Sequence, residues 1–364
     1  MTINQLNLQP NVDLSFFRGK KVFITGHTGF KGSWLSLILS DAGALVAGFA
    51  LPPNTLSLFN LISLGELITS EFGDVRDNNH LSRAISQFQP DIVFHLAAQA
   101  LVGDSYADPV ATFETNILGS VNLLDAVRKT NSVKSLVFIT SDKCYENNEW
   151  TWGYRENDRL GGSDPYSASK ASAELIFSSF CKSFFKPNKN LWAASARAGN
   201  VIGGGDWSQG RLIPDCMRSI ERKAPVKIRA PKSTRPWQHV FEPLSGYLKL
   251  AIGLFNQQIE NYGAWNFGPS RFEGLNVEEV VNLFHGKMRL GSASFNSNET
   301  VFHEAGLLQL NCDKAYNELA WSSRWSTEKA VAETAVWFKS YLEDQSIIDI
   351  SRKQIGEYFG GSNY

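Results

Sequence analysis

The 364-residue sequence predicts an α/β fold in which a doubly wound parallel sheet carries a smaller, discontinuous C-terminal lobe. Two patterns lead to that reading. Short apolar runs alternate with helical stretches as far as Thr140, and the first run breaks into three glycines, Gly26, Gly29 and Gly32, spaced GxxGxxG. Repeated βα units of this length imply parallel strands with helices on both faces.

Taken in order, Val22 to Ile24 reads as a buried strand, and Phe30 onward, with Trp34, Leu35, Leu37, Ile38 and Leu39, reads as a helix. A strand, a tight glycine turn and a helix form a phosphate cradle. Gly26 allows the turn, Gly29 lets a diphosphate approach the backbone beside Thr28 and Phe30, and Gly32 lets the helix pack close to the strand. Leu45 to Phe49 reads as the second strand. Between Asp41 and Glu66 there is no acid and no base, so the residues alone do not choose between NAD and NADP.

The alternation continues with a strand over Leu67 to Phe72, a helix over Leu81 to Phe88, a strand over Ile92 to His95, a long helix over Pro109 to Lys129 and a strand over Leu136 to Thr140. Asp74 and Val75 follow the third strand, where an adenine would sit. Leu96, Ala97 and Ala98 follow the fourth, where small side chains leave room. Asp74 has a second reading as the cap of the next helix.

With 43% hydrophobic and 20% charged residues, the chain has enough apolar content for one large domain or two that share a core. A net charge of −1 gives no global attraction to nucleic acid or a membrane surface. Cys144, Cys181, Cys216 and Cys312 are scattered, without CxxC or metal-like spacing to the 6 histidines, and are expected to be reduced thiols in a cytoplasmic protein that holds no metal. Met1 to Phe17 lacks a basic n-region and an apolar h-region.

The strongest chemical signal is a pair of segments, Thr140-Ser141-Asp142-Lys143 after the fifth strand and Tyr166-Ser167-Ala168-Ser169-Lys170 opening the next helix. Tyr166 and Lys170 are four apart and project from one helix face. A phenol titrates near ~10 and becomes a base at neutral pH only when a nearby cation favours its phenolate. Lys170 supplies such a cation, and Ser141 can hydrogen-bond a substrate hydroxyl or carbonyl.

These segments, with Trp152-Gly153-Tyr154-Arg155-Glu156-Asn157, Asp164-Pro165-Tyr166-Ser167, the run from Arg197 to Trp207 and Arg235-Pro236-Trp237-Gln238-His239-Val240, resemble the extended short-chain dehydrogenase/reductase superfamily. Within it the chain resembles the nucleotide-sugar dehydratases and epimerases, most nearly the CDP-glucose 4,6-dehydratases. The resemblance runs from Arg18 to Trp337 and implies a Rossmann sheet and a hydro-lyase. The reaction it implies is NAD-dependent conversion of CDP-glucose to CDP-4-keto-6-deoxyglucose, by C4 oxidation, C5/C6 loss of water and hydride return to C6, in deoxysugar biosynthesis toward lipopolysaccharide O-antigen. Tyr166 would take the 4-hydroxyl proton, and Asp142 would be the acid for the departing 6-hydroxyl. In the wider group the next position is commonly Glu; Lys143 matches the CDP-glucose branch. It stands as the C5 base, as electrostatic support for an enolate, or as a solvated loop lysine. A homodimer through the helices near Pro109 and Tyr166 is implied by the resemblance alone.

Beyond the sixth strand, Leu191 to Ala196, the loop Gly203-Gly204-Gly205-Asp206 leads to Arg211, Arg235 and His239 in segments rich in Pro and Trp. Arg binds a diphosphate through its planar fork, so Arg211 and Arg235 are the diphosphate candidates, with Asn200 and His239 also assigned to the substrate. Arg197 is a further candidate at the strand exit, and Trp237 reads as core. Where the resembling proteins usually carry Arg, this chain has Gly103, so one substrate contact is expected to be missing. A helix over Glu242 to Asn256 and a strand over Gly263 to Phe267 return to the sheet, and helices follow over Val277 to Phe284 and Thr327 to Tyr341. The dinucleotide-binding part is expected at 16–200 and 239–268, the nucleotide-sugar lobe at 201–238 and 269–355, and flexible ends at 1–15 and 356–364. The rival readings are another nucleotide-sugar 4,6-dehydratase, a 4-epimerase and a non-catalytic NAD-sensing protein. An epimerase has no need of an acid at Asp142, and a sensor would be expected to lose Tyr166 or Lys170.

Overall fold

The computed structural model describes residues 11–186, 190–228, 230–269, 275–295 and 307–360. Its centre is a parallel sheet of β1 (Lys21–Thr25), β2 (Leu45–Ala50), β3 (Thr69–Phe72), β4 (Ile92–His95), β5 (Ser135–Ile139), β6 (Trp192–Ala198) and β7 (Ala264–Phe267). The spatial order is β7-β6-β5-β4-β1-β2-β3. Chain order therefore reverses at β1, which pairs with β2 on one side and β4 on the other. The crevice at that reversal, outside the carboxyl ends of the strands, is where a doubly wound sheet receives a ligand.

Helices cover both faces. Along β1, Val22 and Ile24 enter one core while Phe23 enters the other, as a period of two requires. The first core is built on α1 (Phe30–Asp41), then α5 (Leu212–Glu221), α6 (Phe241–Phe255), α7 (Val277–Met288), α8 (Thr327–Leu342) and α9 (Ile347–Phe359). The second holds α2 (Asn78–Phe88), α3 (Gly119–Arg128) and α4 (Pro165–Phe180). Helix α1 is buried on every side from Gly32 to Leu39 because it lies between the sheet and this C-terminal group: Trp34 meets Phe241 edge-on at 5.0 Å and donates from Nε1 to the Gly204 carbonyl at 2.9 Å.

Local chemistry moves several boundaries from those expected. The third strand begins at Thr69 because Leu64–Leu67 forms a helical turn. Helix α2 starts three residues early because Asp77 accepts from the His80 amide at 3.0 Å. Asp74 is therefore not its cap. The single helix expected over Pro109 to Lys129 is a rod in three parts, Pro109–Phe113, a π-helical stretch at Glu114–Leu118 and α3. Helix α4 opens as its sequence indicates, with Pro165 in the first turn and Asp164 accepting from the Ser167 amide at 2.9 Å.

The expected flexible ends need correction where they are described. Asp13 caps the Leu14–Phe17 turn, and Val12 is buried. Residues 356–359 complete α9, with Tyr358 and Phe359 buried against Phe241. The Tyr358 hydroxyl donates to Glu242 at 2.6 Å, and the same carboxylate accepts from the Arg324 and Trp325 amides at 3.0 and 2.8 Å. Arg352 reaches back to Asp41 at the end of α1. Residues 1–10 and 361–364, and parts of the expected lobe at 270–274 and 296–306, lie outside the described residues. One buried cluster crosses the expected boundary at residues 200 and 201, joining Ala196 to Ile202, Ile213 and Val280. No helix among the described residues is long and apolar enough to cross a membrane.

Replacing Tyr358 with Ala removes a buried ring and the hydroxyl that closes the Glu242 network. Urea denaturation is expected to show a loss of about 3–5 kcal/mol, and an unchanged midpoint would contradict the docking of α9.

Candidate active site

A cavity of about 1040 Å³ runs along the carboxyl edge of β1, β4, β5 and β6. At its floor the order reversal is pinned by polar contacts: Thr25 Oγ1 lies 2.7 Å from His95 Nδ1 and accepts from the Ala97 amide at 3.2 Å. The glycine turn fits against this point with no space to spare. Gly26 has a φ of +78°, and a Cβ there would stand 2.7 Å from the Ala97 nitrogen. A Cβ on Gly32 would stand 2.1 Å from the Gly26 carbonyl oxygen. Helix α1 then begins at Gly29 without a side-chain cap, so its first amides and the positive end of its dipole are left for an anion.

Gly26, Thr28, Gly29, Phe30, Gly32, Asp74, Val75, Leu96, Ala97 and Ala98 all line the cavity. The uncapped helix end and the bare glycine backbone fit the diphosphate of a dinucleotide, with Asp74 and Val75 at the far edge. Asp74 is held by Arg76, which donates from Nη2 at 2.7 Å and holds its carboxyl below the usual range. Arg76 also reaches Glu114 at 3.1 Å.

Ser141, Asp142, Lys143, Tyr166 and Lys170 come together in the same cavity. Strand β5 ends into a short 3₁₀ turn, Asp142–Cys144, in which the Ser141 hydroxyl accepts from the Lys143 amide and donates to Asp142 Oδ1 at 3.0 Å. Asp142 is 3% exposed, and its Oδ2 has no hydrogen-bond partner. Burial raises its pKa, opposed by Lys143, the Ser141 bond and Lys31. Burial pushes the Tyr166 phenol up to about 12, against the pull of Ser141 and of Arg211. The Lys170 amine stands 6.0 Å from the Tyr166 ring, and burial draws it down to about 8.

On the substrate side, Asn200, Arg211 and Arg235 line the cavity. Arg211 is oriented by Asp206 at 2.9 Å, and Arg235 donates to the Thr234 carbonyl at 2.8 Å. His239 does not belong with them. It is fully buried between the rings of Phe241 and Trp325, at 4.5 and 4.8 Å, and accepts from the Phe241 amide. The aromatic cluster under the C-terminal helices claims its ring, and burial pulls its pKa to about 3. Arg197 is likewise withdrawn, into a buried ion pair with Glu174 at 2.8 Å.

Sequence reasoning missed Lys31 and Asp206, which line the cavity; Trp237 belongs to the first core, as read, and also borders the cavity. The signal for Lys31 was present, since it is the one charged residue in an otherwise buried first half of α1. Burial first, then Arg211, brings its amine down to about 8, with Asp142 opposing. Gly103 lines the cavity as well, and a Cβ there would meet nothing within 4 Å, so the space left by a missing long side chain is open.

A family model described as GDP-mannose 4,6 dehydratase matches residues 23–334. The chain belongs to that family. This dehydratase-family chain is 46% identical to a CDP-glucose 4,6-dehydratase of Salmonella typhimurium, over 96% of this chain and 99% of the relative. Its fold is shared with the UDP-glucose 4-epimerase of Thermotoga maritima, solved with UDP-glucose, at a TM-score of 0.77 and 23% identity over 88% of this chain and 99% of that one. A dTDP-glucose 4,6-dehydratase of Bacillus anthracis, solved in complex with NAD, superposes with a TM-score of 0.74 and 21% identity over 91% of this chain and 100% of that one.

Proposed function

We propose that this chain is an NAD-dependent CDP-glucose 4,6-dehydratase, converting CDP-glucose to CDP-4-keto-6-deoxyglucose and water. The observation that carries the reading is the buried Asp142 carboxyl, one oxygen unbonded, beside Ser141 and near Tyr166, in the cavity that Lys170 also lines. The near full-length relative supports the substrate. An epimerase interconverts C4 stereoisomers and has no leaving hydroxyl to protonate, so it leaves this carboxyl without a task.

In this reading the Gly26 to Gly32 turn would hold NAD, with Asp74 and Val75 toward the adenine, and the cofactor would supply a hydride acceptor for C4 and a hydride donor for C6. Tyr166 takes the proton of the sugar 4-hydroxyl, Ser141 orients that oxygen, and the Lys170 ammonium favours the phenolate. The 4-ketone acidifies C5–H. As the C5 proton leaves, Asp142 in its neutral form protonates the departing 6-hydroxyl, and water is lost. Lys143, at the cavity wall, is assigned to the C5 side of this elimination. Arg211 and Arg235 hold the diphosphate and Asn200 the sugar. The dinucleotide belongs to 16–200 and 239–268 and the nucleotide sugar to 201–238 and 269–355. His239 has only a structural part.

The enzyme is placed in the cytoplasm, a reading supported by four unpaired cysteines, three of them buried. A homodimer is supported by exposed Val110, Phe113 and Leu118 on the Pro109 rod and Leu175 on α4, which form an apolar surface beside the site. Val110→Glu with Leu175→Arg is expected to shift sedimentation to the monomer; an unchanged species would remove that interface.

Purified protein with CDP-glucose and NAD in deuterated water is expected to yield a product lighter by one water, with a 6-methyl proton signal and solvent deuterium at C5. Tyr166→Phe is expected to lower kcat by roughly 10²–10⁴-fold. Lys143→Ala at full elimination rate would take Lys143 out of the mechanism. A C4 epimer as the product would overturn the dehydratase reading.

A further inference from the structure

We infer that Glu174 and Arg197 are positioning residues that set the Ser141–Asp142–Lys143 turn against the Tyr166–Lys170 face of α4. The inference rests on the dehydratase reading for what the turn does, and on the structure alone for how it is held.

Tyr166, Lys170 and Glu174 follow one another at intervals of four, so all three lie along one face of α4. The first two reach the cavity. The third is buried one turn further in, 3% exposed. Its carboxylate accepts from Thr140 Oγ1 at 2.5 Å, Ser195 Oγ at 2.9 Å, and Arg197 Nε and Nη2 at 2.9 and 2.8 Å. Arg197 turns its remaining nitrogen the other way, donating from Nη1 to the Tyr145 hydroxyl at 2.8 Å and the Glu156 carbonyl at 2.9 Å.

Thr140 and Tyr145 bracket the catalytic turn. One ion pair thus grips the chain immediately before Ser141 and immediately after Cys144, and ties both points to the helix that carries Tyr166 and Lys170. Tyr145 extends the grip by donating to Asn266 Oδ1 at 2.7 Å, and Asn266 in turn fixes the Tyr154 and Asn311 carbonyls at 2.8 and 3.1 Å. A buried pair that served only to fill the core could be exchanged for apolar side chains of the same volume. Here every donor position belongs to β5, β6 or the turn beyond it, the parts whose relative placement fixes the distance from Ser141 to Tyr166.

The pair also acts through its field. Lys170 is faced by Glu174 and Tyr166 on its own helix and by Cys144 from the turn, while its charge reaches Lys31 on α1 and His95 at the end of β4. Glu174 favours the Lys170 ammonium against burial. Loss of that negative charge lets Lys170 give up its proton at lower pH.

Three variants test this against the wild-type enzyme, whose turnover of CDP-glucose is the control for the underlying reading. Thr140→Val keeps the shape and the ion pair and removes one donor. It is expected to lower kcat roughly tenfold, with KM within about threefold and the melting temperature nearly unchanged, since misplacement acts on the chemical step. Glu174→Gln is expected to move the alkaline limb of kcat to lower pH. Glu174→Leu with Arg197→Met, which leaves no buried charge unpaired, covers the case in which Glu174→Gln fails to fold, and is expected to show the same loss of kcat as Thr140→Val or a larger one. Crystal structures of wild type and Thr140→Val give a readout that needs no turnover, with Ser141 expected to shift away from Tyr166. Unchanged kcat, pH limb and Ser141 placement, with only a lower melting temperature, would reduce the pair to a structural role. A wild type that releases no dehydrated sugar would instead overturn the dehydratase reading and leave the crystallographic arm to judge the positioning.

Discussion

A carboxyl group buried without a full set of partners is costly when ionised, and Asp142 is kept in that condition at the point where the proposed reaction would release a hydroxyl. Much of the site can be understood as the means of holding it there. Strand β5 delivers the turn, Ser141 satisfies one oxygen, and a Cβ on Gly199 would lie 2.7 Å from the other. The neighbouring cations, Lys143 and Lys31, pull against burial without bonding the free oxygen, so a neutral acid is compatible with a cationic surround.

The sheet explains why this acid meets a dinucleotide. Because strand order reverses at β1, the glycine turn after β1 and the small residues after β4 open onto the same crevice as the hydroxyl-and-acid turn after β5. The helix that carries Tyr166 and Lys170 begins at a capped turn and runs along the second core, so the face bearing these two residues is fixed at the rim. The C-terminal helices close the first core from the far side. Phe241 and Trp325 take up the His239 ring, while Trp237 stands at the cavity wall.

What was legible in the sequence was local. Three glycines at fixed spacing, a period-two strand and a Tyr–Lys pair four apart each declare themselves within a few residues, and the structure brings them into one cavity. The start of α2 reads three residues late in the sequence, because the single side-chain hydrogen bond of the Asp77 cap decides that boundary. The Glu174–Arg197 pair was hidden for another reason. Its partners come from β5, β6 and α4, and only the folded sheet brings Thr140, Glu174 and Arg197 within hydrogen-bonding distance. His239 shows the converse: a polar residue in a motif rich in Pro and Trp was read as a ligand contact, and packing between Phe241 and Trp325 gave it a place in the core instead.

The most direct test of Asp142 as the acid of elimination is a single turnover of Asp142→Asn with CDP-glucose, followed by the absorbance of reduced nicotinamide. An amide cannot supply the proton, so oxidation at C4 should proceed and the reduced cofactor should accumulate, with little 6-deoxy product formed. Release of the dehydrated sugar at the wild-type rate, with no such accumulation, would contradict the assignment.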